Sequence, residues 1–280
     1  MSGAVATKAE AAAVTEERKA SVRAAAATQK SVLLASLALL LAVLLAWQYL
    51  PTAFGMPKYI IPTLGDCLVE LKQMWEVGSL PSHIFSTALY TVLGFLIGSA
   101  LGAVLGYVLG MSEFLEKVFS PYILALQIAP KVAFAPLFIM WFGYNDMPKL
   151  LVTVLIVFFP VLVNVLQAMR TVDRDLVNLA RAYNLSRWGI FLKIEMPSTL
   201  PNLMAGLRIA STLAVIGVTV GEMVGGNIGL GYLISYGSGQ ADAAMVFDAI
   251  VLLTLIGFLL YSALVRIEGR VLHYLPRANG

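Results

Sequence analysis

Long apolar runs separated by short polar segments dominate the chain. Residues 31 to 50, SVLLASLALLLAVLLAWQYL, carry no charge over about twenty positions, the length at which a helix crosses a hydrocarbon core. Further runs of this kind cover about 83 to 110, 119 to 142, 148 to 169, 202 to 224 and 246 to 265. The third is interrupted by Pro121, Pro130 and Pro136, so a kinked or broken helix is expected there. MSEFLEK ahead of it reads as a short polar turn. Between Pro51 and Pro81, Leu64, Leu68, Leu71 and Trp75 recur at helical spacing, which predicts a short amphipathic helix at the interface. Residues 225 to 245 hold too many glycines and polar groups to span. They predict an external loop carrying Asn227, Tyr232 and Tyr236. The expected architecture is all-α and integral to a membrane, with about six transmembrane helices.

Two departures from this pattern stand out. Within the second run, Gly94, Gly98, Gly102, Gly106 and Gly110 fall four residues apart and share one helix face. Glycine weakens a helix, so a repeated stripe implies close approach of another helix. The other is residues 171 to 201, TVDRDLVNLARAYNLSRWGIFLKIEMPSTLP, a polar interruption too long for a passive connector. Asp173 or Asp175 suits the cap of a first short helix bearing Leu176, Leu179, Ala180 and Tyr183. Asn184 suits a left-handed reversal, and Ser186 suits the cap of a second helix bearing Trp188, Ile190, Phe191 and Ile194, closed off by Pro197 and Pro201. The expected product is a compact knob with charged and apolar surface.

Composition agrees with the pattern. Of 280 residues, 59% are hydrophobic and 12% charged, with a mean hydropathy of +0.84, which excludes a soluble domain of this size. A net charge of +3 gives no reason to expect nucleic acid. Cys67 has no partner for an internal disulfide, and His83 and His273 lie far apart in sequence, so no metal site is expected.

The basic residues also orient the chain. With a cytoplasmic N-terminus, alternation places Lys8, Arg18, Lys19, Arg23, Lys30, Lys117, Arg170, Arg174, Arg181, Arg187, Lys193, Arg266, Arg270 and Arg277 inside. Only Lys58, Lys72 and Lys149 fall outside. The positive-inside rule favours this arrangement, with both termini and the polar loop cytoplasmic. Residues 1 to 30 then form a solvated cytoplasmic tail, and 31 to 280 the membrane domain.

The loop resembles the cytoplasmic EAA loop of permease subunits from binding-protein-dependent ABC importers. Asn178, Leu179 and Ala180 occupy the EAA positions, Asn184 the glycine, and Ile194, Met196 and Pro197 the closing Ile and Leu-Pro. WFGYNDMPK, VFFPVLVN, LPNLMAGLRIA, GEMVGG and GLGYLI resemble stretches of the taurine, nitrate, sulfonate and bicarbonate branch, over about residues 57 to 272. The resemblance implies a type I importer permease in the bacterial inner membrane. Its implied partners are cytoplasmic ATPase subunits, an external substrate-binding protein and a second permease copy. Ala180, Asn184, Leu185, Ser186, Arg187 and Trp188 would contact the ATPase. The chain has no GxxxxGK[ST] loop, so ATP and Mg are expected on partner subunits and no cofactor on this one.

Polar residues within the apolar runs are the candidates for a translocation pathway: Gln127, Lys131, Asn164 and Glu222. A lysine at mid-span costs about 2.5–3.5 kcal/mol on insertion scales, so Lys131 is expected to face the pathway, to pair, with Glu222 as one partner, or to snorkel along the broken helix. Glu222 is expected to line a gate or face external water. Gln167 is a further amide within a span, and Met140, Trp141 and Phe142 are expected to be packing or interface residues and not selectivity residues. The substrate class left open is a sulfonate, nitrate, bicarbonate, carboxylate or small aromatic or heterocyclic compound. A secondary transporter or channel subunit with a cytoplasmic regulatory loop is the competing function.

Overall fold

The computed structural model describes residues 31–273. The expected tail, residues 1 to 30, and the last seven residues, with Arg277, lie outside them. All regular structure among the described residues is helical. The chain divides into two units, Met1–Asp66 and Cys67–Gly280.

In the first unit, α1 covers Ser31–Ala53 and is long and apolar enough to span. The next helix, α2 (Leu64–Glu76), opens with a reciprocal cap. The Asp66 amide donates to Thr63 Oγ1 at 3.2 Å, and the Thr63 amide returns a bond to Asp66 Oδ2 at 3.1 Å. Lys58 Nζ lies 2.5 Å from the other carboxylate oxygen. The Lys58 and Thr63 bonds hold the Asp66 carboxyl down at about 2, outweighing its partial burial.

The second unit is built on three long helices, α3 (Leu80–Gly110), α6 (Asp146–Arg170) and α9 (Met196–Gly225). Helix α6 lies between the other two. The glycine stripe explains half of this packing. A Cβ at Gly98 would sit 2.8 Å from the Val154 carbonyl, and one at Gly106 would sit 2.8 Å from Val165 Cβ. Gly110 meets Met169 in the same way. On the other side, Gly217 of α9 approaches the Thr153 backbone and Gly206 receives Asn164. Val157, Val161 and Val165 are fully buried with Ala210 and Ala214. Between lipid-solvated helices this closeness stabilises by dispersion, not by removal of water.

The interrupted third run is α4 (Glu113–Ile128), a tight turn at Lys131–Phe134, and α5 (Ala135–Phe142), bent by 81°. Its contacts run along α6 in order. Glu116 pairs with Arg170 at one end, Lys131 reaches Phe159 near the middle, and Ala135 and Phe138 cluster with Val152 and Ile156 towards the other. The pair therefore crosses as one broken span, and with α1 and α11 (Ala243–Val271) the described residues hold six crossing elements. Only Pro130 makes the break. Pro121 lies inside α4 and Pro136 in the first turn of α5, where a missing N–H costs little. Of the polar stretch MSEFLEK, only Met111 and Ser112 make the turn; Glu113 to Lys117 already belong to α4, which Ser112 caps by accepting the Leu115 amide.

Candidate functional site

Two regions carry the candidate chemistry. The first is the polar knob between α6 and α9. Asp173 caps α7 (Arg174–Ala182) by accepting the Asp175 amide at 2.8 Å. The helix ends in a Schellman pairing: Leu185 N–H donates to the Ala180 carbonyl at 3.0 Å and Asn184 N–H to the Arg181 carbonyl at 2.9 Å. Asn184 takes φ 56° to allow it. Ser186 then caps α8 (Arg187–Ile190) through the Gly189 amide at 3.1 Å.

The second knob helix is not closed off by Pro197 and Pro201. A π turn, Phe191–Glu195, joins α8 to α9, so a single helical run extends from Arg187 to Gly225. Its bond from the Met196 amide to the Phe191 carbonyl shifts the pairing by one residue just before Pro197, the position whose missing N–H would otherwise break the ladder. At about 1.5 Å per residue the run is roughly 58 Å long. Trp188 packs edge-on against Phe191, and Phe191 against Tyr107.

Of the six expected coupling residues, Asn184, Ser186, Arg187 and Trp188 are exposed and Leu185 is half-buried. Ala180 is buried, and its carbonyl closes the turn. Leu176, Leu179, Tyr183 and Trp188 form an exposed apolar surface on the knob.

The second region is a hollow of about 360 Å³ between the broken span, α6 and α9. Gln127, Lys131, Val132, Ile156, Phe159, Pro160, Leu213 and Ile216 line it. Lys131 Nζ donates to the Gln127 carbonyl at 2.6 Å and lies 4.9 Å from the centre of the Phe159 ring. It makes no ion pair among the described residues. Asn164 stands one turn beyond Pro160, donating to its carbonyl at 2.8 Å and packing on Gly206. Met140, Trp141 and Phe142 are exposed on the single chain, Trp141 with its ring against Phe138, and Gln167 is exposed as well.

Glu222 does not face external water. It is 0% exposed, and it serves as a substitute N-cap for α10 (Leu230–Gly239), the short helix that replaces the expected external loop. Gly231 N–H donates to Oε2 at 3.0 Å, Thr87 Oγ1 donates at 2.8 Å, and the same Thr87 oxygen accepts the Leu230 amide at 2.8 Å. A carboxyl group at the positive end of a helix dipole is the favourable sign. Gly229, at φ 125°, leaves no room for a Cβ against that carboxyl and donates its own N–H to His83 Nδ1 at 2.9 Å. His83 stacks on Tyr232, and Tyr232 on Tyr236.

Sequence reasoning missed Lys149, placed outside by alternation. It is 2% exposed, 2.7 Å from Asp146 and 2.9 Å from Ser86, over the Tyr90 ring. The Asp146–Lys149 spacing, one helical turn, was the available signal.

Residues 94–273 match the family described as binding-protein-dependent transport system inner membrane component. The chain belongs to this family. Among its relatives, the riboflavin transport system permease protein of Chloroflexus aurantiacus is 40% identical over 222 residues, 79% of this chain and 83% of that one. The formylaminopyrimidine transport permease protein of Halalkalibacterium halodurans is 35% identical over 232 residues, 83% of this chain and 92% of that one. A putative aliphatic sulfonates transport permease protein of Escherichia coli is 33% identical over 211 residues, 75% and 80% of the two chains. The fold matches that of the MetNI methionine ABC transporter in an inward-facing form, with a TM-score of 0.60 at 20% identity, over 71% of this chain and 98% of that one. This family member is thus a multi-pass protein of the bacterial inner membrane and the permease subunit of an ABC importer.

Proposed function

We propose that the chain forms the translocation pathway for a small heteroaromatic solute delivered by an external binding protein. The observation that carries this is the hollow beside Lys131. Its walls are apolar, Phe159 offers an aromatic face, and the Lys131 ammonium and Gln127 supply the few polar groups that orient a ligand. The two relatives named for riboflavin and formylaminopyrimidine support a flat heterocyclic cargo. Asn164 donates its side-chain amide to the Pro160 carbonyl and the Glu222 carboxyl accepts the Gly231 amide of α10, so the pathway role rests on Gln127 and Lys131. A sulfonate is the second reading, favoured by the cationic Lys131 and by the sulfonate relatives.

In this reading both termini and the knob face the cytoplasm, residues 1 to 30 are a tail, and 171 to 201 couple to ATPase subunits that bind ATP and Mg. A second copy of the chain completes the pathway. Leu176, Leu179, Tyr183 and Trp188 supply the apolar docking surface, with Asn184 to Arg187 around it and Ala180 bracing the turn. Because α8 continues through the π turn into α9, a pull on the knob moves one long lever whose far half, at Leu213 and Ile216, lines the hollow. The chain's work is mechanical and hydrolysis belongs to its partners.

Ligand identification on the cognate binding protein, followed by uptake of that ligand into proteoliposomes holding the whole transporter, tests the cargo. A heteroaromatic ligand whose uptake is lost in Lys131→Ala, with ATPase association intact, is expected. A binding protein selective for sulfonates, or normal uptake in that variant, overturns the heteroaromatic pathway reading.

A further inference from the structure

The strongest unassigned feature lies behind the knob. A polar cavity of about 690 Å³ opens between α7 and the ends of α3, α4 and α6, within the roughly 300–1,000 Å³ typical of small-molecule sites. Five basic side chains line it, Lys117, Arg170, Arg174, Arg181 and Arg187, against three carboxylates, Glu113, Glu116 and Glu195. The pairings leave a positive excess. Glu113 is bound to Lys117 at 2.9 Å and Glu116 to Arg170. Arg187 donates to the Met111 carbonyl at 3.3 Å, and Glu195 is the one remaining carboxylate, set in the field of both Arg181 and Arg187. Arg174 and Arg181 make no hydrogen bond or ion pair among the described residues. Asn178 stands between them on the same helix, where the EAA pattern has its acidic residue, and brings no charge of its own.

We propose that this cavity binds a phosphate-type oxyanion, held by Arg174 and Arg181 with Asn178 as a neutral donor. Planar guanidinium groups match the paired oxygens of a phosphate, and two of them gathered in one recess leave a charge that an external anion neutralises. The cavity adjoins the ends of three elements of the bundle, the depth at which phospholipid headgroups lie. The phosphate of an acidic lipid and a soluble phosphate share this chemistry, and the experiment separates them. An occupant would join α7 to the ends of α3 and α6, and so stiffen the root of the knob.

The test uses the purified full-length permease in a zwitterionic detergent, with thermal unfolding and native mass spectrometry as readouts, so it needs neither cargo nor ATPase. A short-chain phosphatidylglycerol, a short-chain phosphatidylcholine, inorganic phosphate and chloride are titrated at matched ionic strength. Saturable stabilisation by phosphatidylglycerol alone assigns a lipid headgroup, and equal stabilisation by inorganic phosphate assigns a soluble anion. In Arg174→Gln/Arg181→Gln the apparent affinity should fall by about tenfold or more. In Asn178→Glu, which supplies the missing charge internally and keeps both arginines, the same loss is expected in a protein that unfolds no earlier than wild type. Stabilisation by none of the phosphate compounds, equal stabilisation by chloride, or an affinity unchanged in Asn178→Glu would overturn the proposal. Those outcomes leave the transport reading untouched, since binding is read without transport.

Discussion

Replacing Gly102 by alanine adds one methyl group where α3 and α6 touch. The new Cβ would lie 2.5 Å from the Phe158 carbonyl oxygen and 3.1 Å from the Leu162 amide nitrogen, against an ordinary contact of at least 3.4 Å. Both are backbone atoms of a buried helix, so no rotamer change relieves the clash and the helices must part by about 0.9 Å. Overpacking of this kind costs about 1–3 kcal/mol, and rigid backbone neighbours put the site at the upper end. Alanine's better helix propensity returns about 1 kcal/mol, leaving a net loss of about 2 kcal/mol. At roughly 2–4 °C per kcal/mol, the thermal midpoint in detergent should fall by about 4–8 °C. Gly269→Ala is the matched control: it is helical, exposed and has nothing within 4 Å, so it should gain about 0.5–1 kcal/mol. A Gly102→Ala midpoint equal to or above wild type would refute the close-packed stripe.

Three more outcomes follow from particular geometries. Thr87→Val removes the donor to Glu222 and the acceptor of the Leu230 amide, and should destabilise by about 1–3 kcal/mol, with early hydrogen exchange at the start of α10; unchanged protection there would contradict the capping role. Asn184→Gly should be neutral or stabilising, whereas Asn184→Val should cost about 1–2 kcal/mol, because only the valine resists φ 56°; equal midpoints would refute the left-handed turn. Asp66 has its folded carboxyl depressed to about 2, below the usual 3.8, so its contribution to the α2 cap is complete above about pH 4 and is lost as pH falls towards 2. Carboxyl NMR should give that low midpoint and an upward move in Lys58→Ala; a midpoint near 3.8 in the parent would contradict the cap.

What was legible in the chain was whatever a local pattern encodes. The stripe from Gly94 to Gly110 announced a helix contact, Pro130 the broken span, and Asp173, Asn184 and Ser186 the turns of the knob. Each of these needs neighbours only a few residues away. The failures share the opposite cause. The capping role of Glu222 was not legible because its partners, Thr87 at a separation of 135 residues and Gly231, are brought together only by packing of α3, α9 and α10. The burial of Lys149 was not legible because it depends on Ser86 and Tyr90 of another helix. Pro197 and Pro201 read as stops because a π turn that resets hydrogen-bond pairing leaves no compositional mark. In the candidate pathway, Gln127 and Lys131 meet across the break at Pro130, where Lys131 Nζ reaches the Gln127 carbonyl, while Asn164 donates to the Pro160 carbonyl one turn away.

We propose that ATPases drive this membrane subunit through the knob. Proteoliposomes containing the permease, its cognate ATPase and its binding protein measure it most directly. Uptake should require ATP, and it should be lost together with ATPase association in Arg187→Glu/Trp188→Ala. Uptake by the permease alone on an ion gradient, or full ATP-driven uptake in that double variant, would contradict the account.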